Sequence, residues 1–178
     1  MTACPRENSG ELAVFEQIMA QYERRVFRIA LRLLNNPQDA QDAAQEVFLK
    51  LYKKLASLDE TQGYEPWLFR VTVNVCRDIG RRRRRSVGIA EVADLVAPHP
   101  GAEHDAQRAE QREIVRRGLS RLGEKERAAL VLRDVEGLST REVASILGSS
   151  ENTVRSQICS ARLKLREFTG RLMMRRRS

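Results

Sequence analysis

Asp39, Asp42 and Glu46 stand three and four residues apart, so in a helix their carboxylates share one face. Acids so arranged can hold a divalent cation for phosphodiester hydrolysis, meet a basic protein surface, or stay solvated. No histidine or further acid is placed to complete a metal shell, so a nuclease ranks last of the three. A second group is basic: Arg81 to Arg85 make an unbroken run of five arginines in mid-chain. Such a run can neutralise phosphates, and its bland alternative is a solvated, tail-like stretch.

The third group is the stretch EGLSTREVASILGSSENTVRSQICSARLKL, residues 136–165. Ser139 and Glu142 have the spacing of a capping box, and Leu138 can staple onto Val143. They start a short helix, Thr140 to Leu147, with Val143, Ala144 and Leu147 facing inward. Gly148 supplies the left-handed residue that ends it. Ser149 or Ser150 then caps a longer helix whose apolar positions Val154, Ile158, Ala161, Leu165 and Phe168 advance by four and three. Two helices joined by a tight glycine turn, the second basic outside, read as a helix-turn-helix. The competing reading is a helical hairpin with a solvated face. Glu151, Asn152, Arg155, Ser156, Gln157 and Ser160 are expected on the outer face. Arg155 and Gln157 suit bidentate base or phosphate contacts, and Lys164 suits phosphate.

These groups need helices to position them. Between Glu11 and Leu34 the apolar residues Leu12, Phe15, Ile18, Met19, Tyr22, Val26, Ile29, Ala30 and Leu33 follow helical spacing. Asn36 is placed to cap the next helix, with Pro37 at its first position and Asp39 in its first turn. That helix extends to about Ala56, with Ala40, Ala44, Val47, Leu51 and Leu55 inward. In PWLFRVTVNVCRDIGRR the residues Phe69, Val71, Val73 and Val75 alternate as in a strand. A lone strand would lack a partner, so a helix with Trp67, Val71, Val75 and Ile79 on one face is expected, ending in the arginines. Residues 86–105 contain four acids, no Lys or Arg, and Pro98, Pro100 and Gly101, and read as an acidic linker. Helical periodicity resumes from Ala106 to Leu122, and again from Glu124 to about Val135. The fold class is therefore all-α: two small helical domains, 11–85 and 106–170, joined by a flexible linker.

Composition narrows the partners. The 178 residues carry 32 Lys and Arg against 24 Asp and Glu, a net charge of +8 that favours a polyanion. Aromatic residues are 5%, too few for a protein that holds single strands mainly by stacking. Cys4, Cys76 and Cys159 are scattered without paired spacing, which suits a reducing cytoplasm; Cys76 and Cys159 read as small buried residues. His99 and His104 lack companion ligands, so no metal and no cofactor is expected. No apolar leader or membrane-length stretch is present, and the expectation is a soluble, internal protein.

NNPQDAQDAAQEVFLKLYKKL followed by PWLFRVTVNVCRDIGRRRRR resembles the region-2 domain of extracytoplasmic-function (ECF) sigma factors. RLGEKERAALVLRDVEGLSTREVASILGSSENTVRSQICSARLKLRE resembles their region-4 domain. The resemblance implies a dissociable promoter-recognition subunit of bacterial RNA polymerase, without catalytic activity of its own. It assigns Asp39, Asp42, Gln45 and Glu46 to the core polymerase. It assigns Leu58 to Tyr64, Arg70 and Asn74 to capture of a flipped base of the −10 element, with Arg81, Arg82 and Arg83 beside it. Ser150, Glu151, Asn152, Thr153, Arg155, Ser156, Gln157, Ser160 and Lys164 become the −35 contacts. Trp67 reads as core. The acidic linker is implied to thread toward the polymerase cleft.

Three details depart from the family pattern. Gly123 replaces a common proline, which implies a looser start to the helix after it. Gln157 and Ser160 stand where arginine is frequent. The tail Arg171 to Arg177 lies outside the match. With no extra domain for self-inhibition in view, a separate anti-sigma partner is expected. Two other readings make different predictions: a dimeric helix-turn-helix regulator that binds operators alone, and a Mg²⁺ nuclease that cleaves through Asp39, Asp42 and Glu46.

Overall fold

The computed structural model describes residues 7–58, 63–86 and 103–175, and these form helices without a strand among them. The first helix, α1, runs Glu7–Leu34. Asn35 turns the chain with a left-handed φ of 58°, and Asn36 caps α2, Pro37–Lys54, its side chain accepting from the Asp39 N–H at 3.0 Å. Ala40, Ala44, Val47 and Leu51 of α2 are buried, with Leu55 in the single 3-10 turn that follows.

Helix α3 spans Glu65–Ser86 and includes all five arginines. The strand-like alternation of its sequence has a physical cause. Helix α3 packs against α1 and α2 on one side and against a helix of the C-terminal half on another. Leu68, Phe69, Thr72, Val73, Val75 and Cys76 are buried, whereas Trp67, Val71 and Ile79 pack on the core from its edge. The expected face of Trp67, Val71, Val75 and Ile79 is thus only part of a wider apolar surface. Thr72, fully buried, donates its hydroxyl to the Leu68 carbonyl at 2.7 Å, which satisfies it within the helix.

The expected linker lies largely outside the described residues, and α4 begins at Glu103, inside its predicted end, and runs to Ser120. Helix α5, Glu124–Leu130, continues into one wider π-type turn, Val131–Val135. Gly123 has no side chain to complete a cap, but its N–H donates to Glu126 Oε2 at 2.9 Å, so this helix start is tied rather than loose. Helices α6, Thr140–Leu147, and α7, Glu151–Arg175, complete the chain. Leu119, Leu122, Ala129, Leu132, Val143, Val154, Ile158 and Ala161 form the C-terminal core. At Gly118 an added Cβ would lie 2.9 Å from Leu165 Cδ2, a measure of how closely α4 approaches α7.

Candidate nucleic-acid interface

Helices α6 and α7 are set by the caps that the sequence specifies. The Ser139 N–H donates to Glu142 Oε2 at 2.7 Å, and the Glu142 N–H returns to Ser139 Oγ at 3.2 Å. Gly148 has φ 60°, and Ser150 rather than Ser149 caps α7, its Oγ accepting from the Thr153 N–H at 3.1 Å. Val154, Ile158 and Ala161 face inward, as expected.

The outward face is rotated relative to expectation. Asn152, Thr153, Arg155 and Ser156 are exposed near the start of α7. Arg155 is held over that first turn by Glu151 at 2.8 Å and Asn152 at 2.9 Å. Gln157 is half-buried, and its Oε1 has no hydrogen-bond partner among the described residues. Ser160 and Lys164 turn toward α5, where Ser160 Oγ donates to Glu126 Oε1 at 2.6 Å and Lys164 Nζ lies 2.7 Å from the same carboxylate. Hydrogen bonds from Lys164 and Ser160 outweigh burial and pull the Glu126 carboxyl down to about 2. Exposed Cys159 takes the central place on the open face, in line with Asn152, Arg155, Ser156 and Arg166. Continuing the three-and-four step outward from Asn152 would have found it. The expectation of a buried Cys159 is therefore corrected. Cys76 is buried as expected, and that burial pushes its thiol up to about 12.

In the N-terminal half, Asp42 and Gln45 are exposed on α2, beside half-buried Asp39 and Glu46. The acids do not converge on a common point. Asp39 pairs with Arg83 at 3.0 Å, Glu46 with Lys50 at 2.8 Å, and Asp42 accepts from Gln38 at 3.4 Å. Among the described residues no group of three ligating side chains could hold a metal ion. Arg70, Asn74, Arg81 and Arg82 are exposed on α3. Of the loop 58–64, Leu58 and Tyr64 pack on the core, and residues 59–62 lie outside the described residues.

The two halves also meet directly. Glu136, after α5, is 1% exposed at its side chain and accepts from Arg25 at 3.2 Å and from Arg28 at 3.0 Å, both on α1. Burial opposes ionisation of Glu136, but these arginine hydrogen bonds prevail and hold its pKa below the usual carboxylate range. Arg25 also grips Glu65 at 2.6 Å and lies over the Phe69 ring at 4.8 Å. Arg127 donates to the Leu33 carbonyl at the end of α1, at 2.7 Å. Glu124 holds Arg77 at 2.7 Å and Arg84 at 3.0 Å, and Arg70 donates to the Ser145 carbonyl of α6 at 2.8 Å.

Known proteins share both halves. The family described as Sigma-70 region 2 matches residues 18–86, and Sigma-70 region 4 matches residues 112–165. The ECF RNA polymerase sigma factor SigM of Mycobacterium tuberculosis is 32% identical over 92% of this chain and 81% of its own. The chain belongs to the ECF sigma factors. Its family is that of RNA polymerase specificity factors, so the reading as a stand-alone operator-binding regulator is set aside. SigE of Mycolicibacterium smegmatis is 35% identical over 86% of this sigma factor, which spans 61% of that relative's length. Among solved structures, the sigma factor RpoE of Bartonella quintana, in complex with the anti-sigma factor NepR, is 25% identical. It matches with a TM-score of 0.74 over 88% of this chain and 96% of its own. CnrH, in complex with the cytosolic domain of CnrY, is 27% identical with a TM-score of 0.70 over 91% of each chain. No helix among the described residues is long and apolar enough to cross a membrane.

Proposed function

We propose that this sigma factor binds core RNA polymerase through the outer face of α2, opens and reads the −10 element with α3, and reads the −35 element with the first turns of α7. The observation that carries the reading is the helix-turn-helix of α6 and α7, whose exposed Asn152, Thr153, Arg155 and Ser156 stand at the end a major groove would admit. Asp39, Asp42, Gln45 and Glu46 offer the polymerase a polar, acidic strip on a separate element. Asn74 supplies a polar edge for an extruded base, and Arg81, Arg82 and Arg83 supply charge for the phosphates around it. Ser150 and Glu151 act mainly on the helix itself, as cap and as the carboxylate that aims Arg155. Lys164, Ser160 and Gln157 contribute to the −35 interface through the seating of α7.

The protein works in the cytoplasm, carries out no catalytic step and needs no cofactor. By analogy with RpoE and CnrH, which were solved with NepR and CnrY, a separate anti-sigma factor holds it inactive. The test is transcription in vitro from a promoter library by purified bacterial core polymerase, with and without the protein. Defined start sites that appear only on its addition support the reading, and aligned upstream sequences give its two elements. Binding to duplex DNA alone, with neither core association nor initiation, overturns it.

A further inference from the structure

Arg70, Asn74, Arg77, Arg81 and Arg84 step by four and three along α3 and so form a single polar stripe. Every second member of it is already occupied. Arg70 donates to the Ser145 carbonyl, and Arg77 and Arg84 share the Glu124 carboxylate. On α1, outside this stripe, Arg25 and Arg28 hold the buried Glu136. The C-terminal half thus sets a carbonyl and two carboxylates against five arginines of the N-terminal half. These are the same groups, acceptor oxygens carrying negative charge, that a phosphate backbone would present to those arginines.

We propose that region 4 of this chain is the inhibitor of its own −10 surface: Glu124 occupies α3 arginines that promoter phosphates must later take, and Glu136 latches the closed form through Arg25 and Arg28 of α1. The inference rests on the assignment of α3 to −10 DNA. It adds that occlusion needs no second protein: the closed form is held by the chain's own ion pairs and opens when polymerase or DNA competes for them. Arg127, buried between α5 and the last turn of α1, completes the contact through the Leu33 carbonyl. The halves meet through ion pairs and through apolar contact of α3 with α6, which belongs to one continuous core; salt weakens the ion pairs but not the apolar contact. The match of RpoE over 88% of this chain takes in both halves, so a sigma factor held by an anti-sigma factor has a similar arrangement. An anti-sigma factor then acts on a state that the free chain already adopts.

The experiment uses the full chain and a Glu124→Gln/Glu136→Gln variant, neither residue being placed in a polymerase or DNA contact. Small-angle X-ray scattering at about 0.05 M and about 0.5 M salt reads the size of the particle. Binding of a fluorescein-labelled oligodeoxythymidine of about 20 nucleotides, without polymerase, reads access to the arginines. The wild-type chain at low salt is expected to be compact, near the roughly 16 Å radius of gyration of a folded chain of this length. It expands by several ångström at high salt. The variant is expanded at low salt and binds the strand about tenfold more tightly. A wild-type chain already extended at low salt overturns the proposal, as does a variant that stays compact or expands with no gain in strand binding. If the variant fails to fold, by its circular dichroism, the salt series on the wild type decides alone. Initiation with core polymerase is scored separately: if it succeeds while these changes are absent, the self-inhibition fails and the sigma function stands.

Discussion

Arg83 Nη1 lies 3.0 Å from Asp39 Oδ2, so the arginine run at the end of α3 is tied to the acidic strip at the start of α2. The two surfaces proposed for promoter and polymerase therefore share an ion pair. The Arg83 side chain is 43% exposed and that of Asp39 25%, so the pair contributes at most about 1 kcal/mol to folding. Asp39→Asn is expected to lower core-polymerase affinity several-fold while the melting temperature moves by only a few degrees. Arg83→Ala is expected to spare core binding and weaken strand binding. Co-purification with core polymerase, set beside thermal unfolding, separates the two, and an equal loss of core binding in both variants would refute the division of labour.

Glu126 gives a dependence on acid with a definite sign. Its carboxyl falls from an ordinary 4.5 to about 2 because Lys164 and Ser160 hydrogen-bond it, with burial opposing and the Gly123 N–H assisting. A carboxyl depressed in the folded state stabilises the fold above its unfolded pKa, and that contribution is lost as the proton is forced on. The loss is expected between about pH 4.5 and pH 2. The Glu126→Gln variant should melt lower than wild type at pH 6, with the gap closing toward pH 3. Thermal unfolding followed by circular dichroism across that range checks it, and a constant gap would deny Glu126 its role in seating α7.

Although its expected end near Ala56 is a 3-10 turn that follows Lys54, the start of helix α2 is legible to the residue, because its cap and its proline are local. The same holds for α6, whose capping box and Gly148 need nothing beyond their own turn. Helix α3 was only half legible. Its arginines end the helix as expected, yet Trp67, expected in the core, packs on it from the edge, and Leu68 and Phe69, outside the expected face, are fully buried. Their burial belongs to a helix packed on more than one side, and contact with the other half leaves no periodic trace in either segment. For that reason, too, Ile146 of α6, buried in the structure, was absent from its expected inward face. The recognition helix shows the reverse error. Ser160 is polar and expected outside, but Glu126, 34 residues away, draws it partly inward and engages Lys164, which stays exposed. A partner so distant in the chain is invisible to spacing, and with it the rotation that brings Cys159 to the open face.

The two described cysteines should differ sharply in reactivity. The thiolate is the nucleophile, and burial that lifts Cys76 to about 12 leaves almost none of it at neutral pH. Cys159 is exposed on the line of Asn152, Arg155 and Ser156. N-ethylmaleimide on the native protein should modify Cys159 within minutes and Cys76 only after unfolding, as read by peptide mass spectrometry. Because the adduct projects from the face proposed to enter the groove, it should also reduce binding to −35 duplex. Modification without effect on that binding would move the interface off this face.

Arg155 and Lys164 separate two kinds of contribution to −35 recognition. Arg155 stands exposed in the first turns of α7, and Glu151 and Asn152 hold its guanidinium there without covering it. A guanidinium so fixed can meet a guanine edge with two parallel bonds, a contact that distinguishes bases by about 1–3 kcal/mol. Lys164 is engaged by Glu126, so its charge is spent within the protein before DNA arrives. Arg155→Ala should therefore relax preference at one or two −35 positions and lower promoter-specific initiation roughly tenfold or more. Lys164→Ala should instead lower the melting temperature and weaken binding evenly across sequences. Initiation from a library randomised at the −35 element reads both. Loss of preference in Lys164→Ala, with none in Arg155→Ala, would place base reading farther along α7 than its first turns.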